Sequence, residues 1–341
     1  MQLRFIWKYL VLLGIMITLW SIVAGCMSDN DSTPNEDKVM QKIQVALDWT
    51  PNTNHTGLYV AQKLGYFEEQ GLQVEIISPN ENGAETMVAS PSGAASFGIS
   101  YQEAVTLART QGVPIVSIAA VIQHNTSGFA SPIDKGIVSP KDFEGRTYGG
   151  WGSPVELAMI KSIMDNSNAD VSKVKIVSIG DADYFTAVKR DIDFAWIFQG
   201  WTGIDAALRN EPLNMIYLKE FAAQLDYYTP VIITNEKMIK EQPELVQSFM
   251  AAVSQGYKYA IQNPELAADI LFEAVPELDR ELVVASQKWL SEMYQDDAPQ
   301  WGIQKQEVWE NYTTWMIDNE LMQNWIDISK AYTNEFLPKA K

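Results

Sequence analysis

The sequence predicts an α/β protein of two lobes with a helical C-terminal region. Three observations carry this. Short apolar runs of strand type alternate with helical periods from residue 42 onward, the alternation restarts near Thr126, and beyond residue 243 only helical periods remain. A length of 341 residues suits two domains, and 47% hydrophobic with 20% charged residues is enough to bury cores.

In the first run, residues 42–49 (KIQVALDW) form a strand, 57–70 a helix ending at Gly71, and 73–78 a second strand. A short helix over 84–89 leads to a third strand over 95–100. A helix over 102–110 is closed by Gly112, and the apolar run 113–122 is a fourth strand. In the second run, strands over 146–150, 173–180, 193–198 and 214–218 are separated by helices over 154–164, 184–190 and 202–208. The chain returns through residues 230–234 and enters four helices, 243–262, 264–274, 279–294 and 304–319, each opening near Pro, Asp or another polar residue. Strands connected this way should run mostly parallel. Lobe one is expected over 42–124 and 229–341, and lobe two over 125–228. Joined by crossing strands they make a hinged clamp, with ligands at the C-terminal ends of strands.

Ahead of this body, Arg4 and Lys8 precede an unbroken run of apolar and small residues over 9–25 that closes in Val23-Ala24-Gly25-Cys26. The ending has the form of a bacterial lipobox. It predicts a signal peptide over 1–25, lipidation of Cys26, which is the only cysteine, and export to the outer face of the cell membrane. The alternative is an uncleaved N-terminal anchor. Residues 26–41 read as a polar, lipidated tether; its last 15 residues span about 20 Å as a flexible chain and at most about 50 Å pulled straight.

The chain carries 25 Lys+Arg against 43 Asp+Glu, a formal net charge of −18; loss of Arg4 and Lys8 with the leader makes it −20. That balance excludes nucleic acid and the anionic face of a membrane as partners, the lipid anchor aside. One cysteine and two histidines exclude an internal disulfide and the usual zinc sites. With no Ser-His-Asp order, phosphate-binding glycine loop or metal set, no catalytic residue, cofactor or metal is expected.

What remains is recognition, at the strand ends. The first strand runs into Asp48-Trp49-Thr50-Pro51-Asn52-Thr53-Asn54-His55-Thr56-Gly57, which crowds a carboxylate, a ring, amides, hydroxyls and a histidine before a helix. Such a loop either caps its helix over a packed Trp49 or orients a flat polar heterocycle. The third strand ends in Ser100-Tyr101-Gln102, where Ser100 is a helix cap or a contact. In lobe two, Trp151 precedes Ser153 and Glu156, a capping box with Pro154 at the first helical position. Glu156 therefore caps its helix, contacts a ligand, or does both. Tyr184, Trp196, Gln199 and Trp201 stand at later strand ends. Six rings, Trp49, Tyr101, Trp151, Tyr184, Trp196 and Trp201, thus fall at one topological level. Each stacked pair contributes about 1 kcal/mol beyond area burial, and desolvated amides and carboxylates penalise a ligand that leaves them unpaired.

The segments DWTPNTNHTGLYVAQKLGYFEEQGLQVEI, FGISYQEAV, DFEGRTYGGWGSPVE and DFAWIFQGW resemble the thiamine-precursor branch of the NMT1/THI5-like superfamily, and within it the lipoproteins of ABC importers that bind formylaminopyrimidine. The resemblance runs from residue 42 to the end. It implies a type II periplasmic-binding-protein fold and a substituted aminopyrimidine in the cleft. It also implies an ABC permease and ATPase as partners; a monomer is expected. By implication Asp48, Trp49, Asn52 and His55 from lobe one, and Trp151, Tyr184 and Trp196 from lobe two, are the first candidates for contact, beside Ser100, Tyr101, Glu156 and Gln199. The superfamily also contains a fungal pyrimidine synthase that uses pyridoxal phosphate. Where those enzymes carry a cofactor-binding lysine and a consumed histidine, this sequence has Ser100 and Ala104, and their cysteine cluster has no counterpart. The sulfonate and nitrate relatives bind anions, for which the cleft loops offer no arginine or lysine.

Overall fold

The computed structural model describes residues 40–78, 83–180 and 182–339. Cys26, the signal peptide and the tether as far as residue 39 lie outside the described residues. Gln41, expected as the tether's last residue, is instead the first of a strand: its N–H donates to Gly71 O at 2.8 Å and it pairs with Leu72.

The strands are β1 (Gln41–Ala46), β2 (Leu72–Ile77), β3 (Phe97–Ser100), β4 (Ile115–Ala120), β5 (Ser127–Pro132), β6 (Thr147–Gly150), β7 (Lys175–Ser178), β8 (Phe194–Phe198), β9 (Leu213–Tyr217) and β10 (Val231–Asn235). They form two five-stranded sheets, ordered β2-β1-β3-β10-β4 and β7-β6-β8-β5-β9. In each sheet four strands run one way, as expected, and the fifth is reversed. The reversed strands are β10 and β5, those by which the chain crosses from one sheet to the other.

The helices that position the strand ends are α1 (Thr56–Lys63), α2 (Gly83–Ala89), α3 (Gln102–Thr110), α4 (Pro154–Asn166), α5 (Tyr184–Arg190), α6 (Pro243–Gln262), α7 (Pro264–Ala274), α8 (Arg280–Met293) and α9 (Gln306–Asp318). Two expected helices differ. That over 57–70 breaks at Gly65, whose φ of 78° turns the chain before a short second helix. That over 202–208 opens with a π-helical turn, Gln199–Gly203, before Ile204–Leu208.

The largest buried cluster is continuous through both sheets. It runs from Ala46, Ile115 and Val231 through Trp309, Tyr312 and Trp315 of α9 to Phe129, Phe143, Tyr148 and Phe194. Each of the Val, Ile and Phe side chains among them contributes about 1.5–3 kcal/mol on full burial. The α9 helix is therefore shared: Gln102 Nε2 on α3 donates to Val308 O at 3.2 Å, and Trp315 Nε1 donates to Ser162 Oγ on α4 at 2.8 Å. On the first sheet, α1 and α6 approach at backbone distance. A Cβ on Gly57 would stand 2.3 Å from the Tyr257 ring, so only glycine permits the crossing. That crossing anchors the loop after β1, where Tyr257 donates to Asn54 O at 2.7 Å and Tyr294 to Thr53 O at 2.5 Å.

Candidate functional site

The loop after β1 spends most of its polar groups on itself. Asn52 Oδ1 accepts the Asn54 N–H at 2.9 Å, and its Nδ2 donates to Thr50 O at 3.0 Å. The Asn52 N–H donates to His55 Nδ1 at 3.2 Å, which leaves His55 Nε2 to carry the proton and donate to Asp48 Oδ1 at 2.8 Å. His55 is fully buried and Asn52 nearly so. Both expected contact residues thus shape the loop and orient Asp48, which stays half-buried, while Trp49 is 56% exposed. A capping box on a buried histidine explains why polar density alone overstated the number of free groups.

Across the molecule, Glu156 is likewise consumed. Its carboxylate accepts from the Tyr148 hydroxyl at 2.8 Å and from the backbone N–H groups of Trp151 at 3.1 Å, Gly152 at 2.8 Å and Ser153 at 2.8 Å. Of the two roles the sequence left open, capping is the one its geometry fills. Gly150 permits it, since a Cβ there would lie 2.2 Å from Glu156 Oε1. The carboxylate fixes the turn that presents Trp151. That ring is 53% exposed and stacks on Trp196 with centroids 5.1 Å apart and planes at 23°. Trp196 stacks in turn on Phe198 at 6.2 Å, an exposed ring that the sequence reading passed over. Alternation along β8 was the available signal, because residues 194, 196 and 198 share a face.

Of the other candidates, Tyr101 lies at the end of β3 and is exposed. Burial of its hydroxyl and the carboxylates of Glu103, Glu85 and Asp48 hold that hydroxyl well above the usual tyrosine range. Ser100 is buried and donates to Glu85. Gln199 folds its carboxamide back over Gly203. Tyr184 does not join the group: it packs with Phe185, Val188 and Ile197, and its hydroxyl is held up by burial and by Glu211 at the N-terminal edge of the sheet. Trp201 is partly buried against the cluster that contains Tyr59, Leu271 and Val283. Four of the five exposed aromatic rings among the described residues, Trp49, Tyr101, Trp151 and Phe198, nevertheless stand at strand ends.

The description "NMT1/THI5 like" fits residues 52–267, well over half of the sequence. The chain belongs to the NMT1/THI5-like family. This NMT1/THI5-like protein is 28% identical to a formylaminopyrimidine-binding protein of Halalkalibacterium halodurans, over 94% of its own length and 98% of the relative's. It is 25% identical to a 4-amino-5-hydroxymethyl-2-methylpyrimidine phosphate synthase of Legionella pneumophila, over 87% and 92%. In structure it is similar to the periplasmic aliphatic sulphonate binding protein SsuA of Escherichia coli, with a TM-score of 0.66 at 13% identity, over 88% and 94%. The fold is that of the two-lobed periplasmic binding proteins.

Within this NMT1/THI5-like protein, the end of β3 presents a buried hydroxyl at Ser100, already bonded to Glu85, and no amine. These residues do not fit covalent attachment of pyridoxal phosphate. Two further relationships join the sheets. Ser286 on α8 donates to Gly200 O in the π-helical turn, and its Oγ lies 2.5 Å from Thr53 Oγ1. Glu103, in the first turn of α3, is pushed up to about 7 by burial and by the Glu156 carboxylate of the other sheet. The ends of β3 and β6 therefore face one another across the interlobe space.

Proposed function

We propose that this chain is the substrate-binding component of an ABC importer, and that it captures a formylated aminomethylpyrimidine, a thiamine precursor, for salvage. The observation that carries the reading is the set of rings at the strand ends. Trp151, Trp196 and Phe198 form a stacked wall on one side, and Trp49 and Tyr101 stand exposed on the other. Between them are the carboxyl groups of Asp48, Glu85 and Glu103, and no arginine or lysine is among these groups. Flat rings suit a planar heterocycle, and carboxyl groups suit its amine. An anionic sulfonate would meet repulsion there, and Ser100 speaks against the synthase chemistry. The similarity to a formylaminopyrimidine-binding protein over nearly the whole chain favours the same ligand.

In this reading lobe one comprises residues 42–124 and 229–341 and lobe two 125–228, a division supported by the membership of the two sheets except at Gln41, which belongs to β1. Cys26 carries the lipid that anchors the protein to the outer face of the membrane. The protein acts as a monomer, delivering ligand to the permease and its ATPase. Calorimetry of the full-length chain with formylaminopyrimidine, hydroxymethylpyrimidine, thiamine and taurine tests the ligand: tight binding of the first is expected. Binding of taurine and of no pyrimidine would overturn the reading.

A further inference from the structure

We infer that Glu103 is the specificity-determining residue for the amino edge of the bound ring, through two hydrogen bonds between its carboxyl group and the ring nitrogen and amino group of an aminopyrimidine. The inference rests on the aminopyrimidine reading above. Glu103 and Glu156 face each other from opposite sheets but differ in partners. Four donors saturate Glu156, whereas Glu103 makes no hydrogen bond or ion pair among the described residues. The groups that feel Glu103 are Tyr101 before α3, Tyr227 on the second crossover, Tyr312 on α9 and Glu156 on α4; no cation is among them. The Tyr312 hydroxyl, held up by burial and by the Glu103 carboxyl, is wholly buried and has no partner among the described residues. So is the Trp196 indole N–H on the wall opposite. Buried polar groups left unpaired are costly, and a bound ligand is one way to pair them.

The chemistry of that ligand follows from the carboxyl. Pushed up to about 7, Glu103 is mostly protonated in mildly acidic solution, where its two oxygens offer one donor and one acceptor side by side. An aminopyrimidine presents the complement, a ring-nitrogen acceptor beside an N–H donor. The pair shares one proton and carries no net charge, so it can form in a desolvated cleft without a cation. Sulfonates lack the donor, and a ring without the amino group loses one of the two bonds.

Calorimetry of the full-length protein with formylaminopyrimidine and with its analogue lacking the ring amino group, between pH 5.5 and 8.5, tests this. Wild-type affinity should fall as pH rises above about 7, approaching tenfold per unit. Glu103→Gln, whose amide offers the same donor and acceptor, should bind within about threefold of wild type at pH 6 and lose the pH dependence. Glu103→Leu should bind at least about tenfold more weakly and no longer distinguish the two ligands. If Glu103→Leu binds like wild type, or the Glu103→Gln profile matches the wild-type profile, the inference is overturned and the ligand class stands. If wild type binds no pyrimidine at any pH, both fall.

Discussion

Trp151 and Trp196 stack face to face at 5.1 Å, yet one ring is 53% exposed and the other is half-buried against the largest core cluster. The two should therefore separate under mutation. Trp151→Ala is expected to weaken pyrimidine binding about tenfold or more while leaving the apo melting temperature nearly unchanged, since the ring rests on solvent and one neighbour. Trp196→Ala should weaken binding and also destabilise the empty protein by about 1–3 kcal/mol, because it leaves a void under the wall. Calorimetry and thermal melts read the two effects; equal loss of apo stability in both variants would place Trp151 in the core instead.

Glu156 holds Trp151 in place through three backbone N–H groups of the preceding turn. Glu156→Gln keeps one carbonyl oxygen and turns the other acceptor into a donor, which faces the N–H groups of Gly152 and Ser153. A loss of about 1–3 kcal/mol in unfolding free energy is expected, with a fall in affinity that follows the loosened ring. Chemical denaturation checks the first. Unchanged stability would mean that the capping box contributes nothing.

Ser286 bridges Thr53 of the β1 loop to Gly200 of the other sheet. Ser286→Ala removes that bridge without changing any group that faces the cleft. The expected outcome is a more open apo ensemble, visible as a larger radius of gyration in small-angle scattering, which ligand restores. An apo variant with the wild-type radius would show that the bridge does not bias closure.

His124 ties the two crossovers together. Its Nδ1 lies 2.6 Å from Asp226 Oδ2 and its Nε2 3.3 Å from Asp297 Oδ1. The bond to Asp226 holds the imidazole above its usual value, against opposition from burial and from Lys219. This stabilisation is fully present below the unfolded value of about 6.5 and is lost as pH rises through the raised folded value. The melting-temperature advantage of wild type over His124→Gln should be largest at pH 5.5 and shrink toward pH 8.5; a constant advantage would show that the contact does not depend on the charge.

The α/β architecture and nearly every element were legible in the linear pattern because hydrophobic period, glycine stops and proline starts are local signals. Helices such as Pro243–Gln262 and Pro264–Ala274 coincide with the sequence expectation residue for residue. The rings at Trp49, Tyr101 and Trp151 were legible for a similar reason: a large ring among polar residues or glycines at a strand end has little to pack against. The roles of the polar residues were not. Whether Asn52, His55 and Glu156 meet a ligand depends on which donors lie nearby, and those donors are backbone groups whose positions only the folded turn fixes. Tyr184 sits apart from the other rings for a related reason, since tertiary packing sets it against Phe185, with its hydroxyl held up by burial and by Glu211.

By itself, then, the sequence determined two sheets, a helical tail, a level of exposed rings and the absence of cations among them, all set by neighbours within a few residues. Tertiary structure decided which carboxyl is spent and which is free. Glu156 and Glu103 stand 53 positions apart, on helices that follow strands of different sheets. Their inequality follows from four donors that bond the Glu156 carboxylate and from burial of a Glu103 carboxyl that no donor bonds among the described residues.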